Sequence, residues 1–176
     1  KRQRLFDLAS RVGPITNLEL SAEVRRMLAD PRADRFITDF TSSWIGFSKL
    51  DQIAINPNYY RWWNPKYKDY MKLEPIAFMK TLLQEDLSCL NCLSSDFMVV
   101  NDVMAKYYGV TLPASGHRFS RVPAPKGRGG VLSQAAFLLA HSDGEDAHAV
   151  NRGVWLRGRL LGDAPRDPPS EVPTLS

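Results

Sequence analysis

Cysteine, histidine and long apolar runs are scarce in this chain. Two cysteines and three histidines in 176 residues are too few for a disulfide framework or a dedicated multi-cysteine zinc site. Cys89 and Cys92 form a single Cys-x-x-Cys followed by Leu93. Covalent attachment of haem c needs histidine directly after the second cysteine, so this pair is not such a site. The two thiols remain open to a disulfide, strained if they sit on a helix, or to a life as buried free cysteines. The longest apolar stretch, residues 135–140, falls far short of the roughly 20 residues that span a bilayer. Catalytic signatures are missing too. There is no Gly-x-Ser-x-Gly, no phosphate-binding Gly-rich loop ending in Lys-Ser or Lys-Thr, and no His-Glu-x-x-His, so neither a nucleophile nor a general base is assigned.

What is present is an ordinary folded composition, 44% hydrophobic and 24% charged, which excludes wholesale disorder and fibrous architectures. The length suits one core with a docked extension or two small modules. The net charge of +4 comes from scattered arginines and lysines rather than from one basic face, so no nucleic-acid partner is expected. The chain opens on KRQRLF without methionine or a charged-then-apolar leader, and it is expected to be a fragment of a longer polypeptide.

Apolar periodicity predicts an all-α fold. Thr16 and Glu19 form a capping box for a helix ending near Ala29. Asp30-Pro31 then starts an amphipathic helix through Ala33, Phe36, Ile37, Phe40, Trp44 and Ile45. A loop bearing Asn56-Pro57-Asn58 and the aromatics Tyr59, Tyr60, Trp62 and Trp63 leads to a helix opening at Asn64-Pro65, kinked or restarted at Pro75. Ser94 or Ser95 caps a further helix with Val99, Val100, Val103, Met104 and Tyr107 along one stripe, stopped by Gly109. Residues 111–126 read as a loop, and helices are expected over 129–139 and 150–161. The Pro-rich residues 164–173 read as an extended tail. An irregular helical module over residues 1–112 is thus followed, over 113–176, by a helical pair and its Pro-rich strap.

The densest chemistry lies in residues 142–155, SDGEDAHAVNRGVW. Two readings of it use only the residues themselves. In one, the cluster satisfies itself: His148 caps a helix, Arg152 binds Asp146 and Trp155 fills the core. In the other, His141, Asp143, Asp146 and His148 hold a metal, a reading disfavoured by their irregular spacing. The aromatics at 59–63 either wrap a loop onto the core or dock a partner protein or glycan, and docking requires exposed rings.

Several stretches resemble the large multidomain proteins of planctomycetes and relatives, which join domains of unknown function to a cytochrome-c-like domain. They are RMLADPRA at 26–33, FTSSWIGFSKL at 40–50, NDVMAKYYG at 101–109, RGGVLSQA at 128–135, and 144–155 with the Pro-containing 163–173. In that family Asp-Ser-His-Pro-Ile commonly precedes Arg-Gly-Val-Trp. Here Asp146, His148, Arg152, Gly153, Val154 and Trp155 match, whereas Ala147 and Ala149 depart, and the family's proline run is interrupted by Arg166-Asp167.

The resemblance implies that residues 113–176 are the haem-proximal, N-terminal part of a cytochrome-c-like domain. Haem c would belong to a following segment or a partner, since the attachment motif is absent from this chain. It further implies a periplasmic or extracellular redox-associated module supporting electron transfer, with a haem-bearing segment or redox partner protein as its partner and a membrane-associated complex compatible with it. On that reading His148 faces the haem, Asp146 orients its ring, Arg152 pairs a propionate and Trp155 lines the edge.

Overall fold

The computed structural model describes residues 3–11, 13–112 and 116–166. The described residues are predominantly helical, with one two-stranded sheet. The helices are α1 (Gln3–Ala9), α2 (Asn17–Leu28), α3 (Ala33–Ile45), α4 (Phe47–Gln52), α5 (Tyr67–Gln84), α6 (Asp102–Tyr108), α7 (Ala135–Ala140) and α8 (Ala149–Trp155). The strands are β1 (Phe97–Val100) and β2 (Ser120–Pro123). The Pro-rich strap expected over 164–173 lies outside the described residues from 167 onward.

Local signals set many of the helix ends. The Thr16 hydroxyl accepts from the Glu19 amide at 3.3 Å, and the Glu19 carboxylate accepts from the Thr16 amide at 3.0 Å, which satisfies two first-turn donors reciprocally. α6 starts at Asn101, whose side chain accepts from the Met104 amide, and stops at Gly109 with φ of 68°, a left-handed C-terminal stop that glycine adopts without strain. The carboxylate of Asp30 is engaged by the guanidinium of Arg32 at 2.8 and 2.9 Å, and α3 begins two residues later than the Asp30-Pro31 pair predicts, at Ala33. α5 runs unbroken through Pro75, because the ring is buried among core residues and packing offsets the lost hydrogen bond.

Three expected elements are corrected. The stripe of Val99 and Val100 is not helical: Phe97–Val100 pairs antiparallel with Ser120–Pro123, with all four residues of β1 buried. A short apolar run buried on both faces has no periodicity to distinguish strand from helix, and β-branched valines favour the strand. The loop expected over 111–126 therefore contains β2. Residues 129–134 are a glycine-led 3-10 turn and not the start of a helix; only Ala135–Ala140 is α-helical. Past Trp155, α8 gives way to π-helical turns over Leu156–Leu160.

One core joins both parts of the chain. Ile45, Leu50, Phe78, Val100 and Met104 pack in the same cluster as Val131, Ala136, Phe137 and Trp155. At the seam lies Glu74, 1% exposed on α5. Its carboxylate accepts from the Tyr108 hydroxyl at 2.7 Å, and that same hydroxyl accepts from the Ala135 amide at 2.7 Å. The other Glu74 oxygen is buried without a partner. Burial pushes the Glu74 pKa up to about 8, against the opposing hydrogen bond from Tyr108. A carboxyl raised from its ordinary 4.5 is protonated in the folded chain and ionised in the unfolded one between those two values. The folded state then holds the extra proton, so the contribution of this carboxyl to stability is full below pH 4.5 and is lost as pH rises toward 8. Urea titrations should show a decline of roughly 3–5 kcal/mol across this window. Glu74→Gln should flatten the profile and be the more stable form at pH 8, whereas a flat wild-type profile would show that the carboxyl is not protonated in the fold.

Candidate functional site

Residues 141–148 form a tight loop between α7 and α8. Ser142 and Ala147 make an isolated antiparallel bridge, and the His148 amide donates to the His141 carbonyl at 3.1 Å. Inside the loop the Asp143 carboxylate accepts from the Glu145 amide at 2.9 Å and the Asp146 amide at 2.7 Å, the short-range pattern that makes Asp-Gly a turn former. These two backbone N–H groups, Asp146 first, hold the Asp143 pKa below its ordinary value. Gly144 has φ of 99°, and a Cβ there would lie 1.9 Å from the Ala54 carbonyl oxygen. The loop is therefore seated directly on the backbone of the 53–64 segment. The Tyr60 hydroxyl donates to the Glu145 carbonyl at 2.8 Å, and the Asn56 amide donates to the Glu145 carboxylate.

The four residues assigned toward haem do not converge on one another's side chains as assigned. The His148 ring is about half exposed, with Nε2 3.3 Å from Asp143 rather than from Asp146. It sits at the N-terminus of α8 and makes no side-chain capping bond. Asp146 is exposed at the loop surface. Arg152 is half-buried and donates from one terminal nitrogen to the Leu138 carbonyl at 3.3 Å, not to Asp146, while its Nε is buried without a partner. Trp155 is a core residue. Its indole N–H donates to the Trp44 carbonyl at 2.9 Å, and its ring packs on Phe137 and Trp44 at 4.8 and 5.4 Å. His141 is likewise interior, with Nδ1 2.9 Å from the Phe137 carbonyl and its pKa lowered by burial. Among the described residues no group of three or more His, Cys, Asp or Glu side chains is arranged to hold a metal ion.

The structure joins two sequence features that are far apart in the chain. Tyr60, Trp62 and Trp63 line the same cavity, of about 220 Å³, as Asp146 and Arg152. Tyr59 and Trp62 are exposed, at 70% and 56%, while Tyr60 and Trp63 are half-buried. From sequence, Asp143 is named only as a candidate metal ligand and Tyr60 only among the docking aromatics; that Asp143 holds His148 and that Glu145 with Tyr60 latches the loops is missed. A Ser-Asp-Gly turn signal is available for the first contact; nothing local marks the second, because the partners lie 85 residues apart.

The family model for PSD4, a protein of unknown function (DUF1592), matches residues 2–110, more than half of the chain. The chain belongs to this family. A second model, PSCyt3, also a protein of unknown function (DUF1588), matches residues 128–176. Both are planctomycete-type domains of unknown function associated with cytochrome c. No curated protein and no solved structure matches the chain. The aromatic side of the cavity lies in the PSD4 match and its Asp146–Arg152 side in the PSCyt3 match.

Gly144→Ala should break this contact, since the added methyl meets backbone that has no rotamer to yield. The outcome expected is faster amide hydrogen exchange in both 53–64 and 141–148, with β1 and β2 unchanged. Protection retained in both loops would show that the Gly144–Ala54 approach does not hold them together.

Proposed function

We propose that this chain is a non-catalytic helical module of a multidomain c-type cytochrome-like protein, working in the periplasm or outside the cell, whose His148 face meets a haem-bearing segment or redox partner and supports electron transfer there. The observation that carries the reading is the His148 imidazole itself. It is half exposed at the mouth of α8, engaged by the Asp143 carboxylate at 3.3 Å, in the stretch matched by the PSCyt3 family. A carboxylate beside one ring nitrogen orients an imidazole, which is how proteins position histidine toward a metal or redox group.

The chain's own residues do not fit covalent haem. Cys92 is buried with its sulfur 3.8 Å from that of Met79, and burial raises its pKa to about 11, the opposite of a thiol prepared for bond formation. The cavity of about 220 Å³ next to the His148 loop lies below the roughly 300–1,000 Å³ of sites for drug-sized ligands, and a porphyrin is larger still. The haem would therefore approach from another segment. His148 and Asp143 face it, Arg152 fixes α8 to α7, and Trp155 supports the helix from below.

In the full-length polypeptide, His148→Ala should shift the haem absorbance bands and the midpoint potential. The shift in potential would be about 59 mV for a tenfold preference of the imidazole for one oxidation state. Asp143→Asn should shift them in the same sense but less. An unchanged spectrum and potential would remove His148 from the haem face, and a full-length polypeptide without haem absorbance would remove the redox reading.

A further inference from the structure

The latched loops enclose a cavity whose chemistry is independent of the haem reading. Tyr60, Trp62, Trp63 and Tyr107 supply its aromatic wall, and Asp146 and Arg152 its polar one. The rings support one another. Trp62, 56% exposed, stands 6.2 Å from Trp63 at 68° and 5.8 Å from Tyr107 at 55°, so the indole is braced by its neighbours while part of it stays open to solvent. Ring clusters of this kind hold a planar face ready for a ligand at little cost in side-chain entropy.

The charges decide what fits. An aromatic wall with carboxylates alone would suit an organic cation. Arg152 on the same cavity opposes a cation, and Asp146, with Glu145 beside it, opposes an anion. What both signs accept is a neutral molecule carrying hydrogen-bond donors for the carboxylate and acceptors for the guanidinium, with a C–H face for the indole. One terminal nitrogen of Arg152 donates to the Leu138 carbonyl at 3.3 Å, which fixes the guanidinium at the cavity wall. At about 220 Å³ the space admits one saturated ring and not a chain of them.

We propose that this cavity binds a single neutral pyranose unit, stacked on Trp62, with its hydroxyls donating to Asp146 and accepting from Arg152. A longer neutral glycan engages by its terminal unit.

The test is saturation-transfer NMR together with tryptophan fluorescence on the full chain. The probes are glucose, galactose and N-acetylglucosamine, with choline and glucuronate as charged comparisons. At least one neutral sugar should receive saturation and perturb the fluorescence, while both charged probes stay silent. Trp62→Ala should weaken that sugar by about tenfold, the effect of losing one aromatic stacking platform. Asp146→Ala should weaken it severalfold. Both side chains are exposed, so circular dichroism of either variant should match the parent. Silence of all three sugars, binding of choline or glucuronate in their place, or sugar binding undiminished in Trp62→Ala would each overturn the proposal.

Discussion

The hydroxyl of Tyr108 is the point on which the two parts of the chain meet. It donates to Glu74 on α5 and accepts from the Ala135 amide, one of the first-turn N–H groups of α7 that the helix itself cannot satisfy. α7 has no side-chain cap of its own, so its start is fixed by a residue from α6. From α7 follow the Leu138 carbonyl that holds Arg152, the Phe137 ring under Trp155 and the His141 carbonyl that closes the 141–148 loop. Position at the candidate site is inherited, bond by bond, from a buried carboxyl some distance away.

Close backbone approach is the second constraint. A Cβ at Gly129 would lie 2.0 Å from the Ser95 carbonyl oxygen, and one at Gly130 2.8 Å from that of Leu93. Together with Gly144 against Ala54, these contacts bring segments from residues 113–176 within van der Waals reach of main chain from residues 1–112. Glycine is the residue that permits both this proximity and the positive φ found at all three positions.

The helical class was legible because most elements advertise themselves locally. The Thr16–Glu19 box and the Gly109 stop of α6 need no tertiary context, whereas the start of α6 at Asn101, rather than at Ser94 or Ser95, was not read. β1 was hidden because Phe97–Val100 is buried on both faces, and a uniformly apolar tetrapeptide carries no period. The apolar stripe of α3 also misled. Ile37 and Ile45 enter the core, while Phe36 and Phe40 stay exposed in a stacked row with Trp44 at 6.1 and 5.8 Å spacing. Of the candidate site, the His148 loop could be read from its turn residues and the aromatic segment from its composition. That Asp143 and not Asp146 engages His148, that Trp155 belongs to the core, and that the two features share one cavity all depend on contacts between distant parts of the sequence.

The seating of Gly144 on Ala54 bears on how such polypeptides can be recombined. Gly144 lies in the region matched by one family model and Ala54 in the region matched by the other. A chimera that grafts the second region onto an unrelated helical scaffold would inherit a loop shaped for a surface it no longer meets.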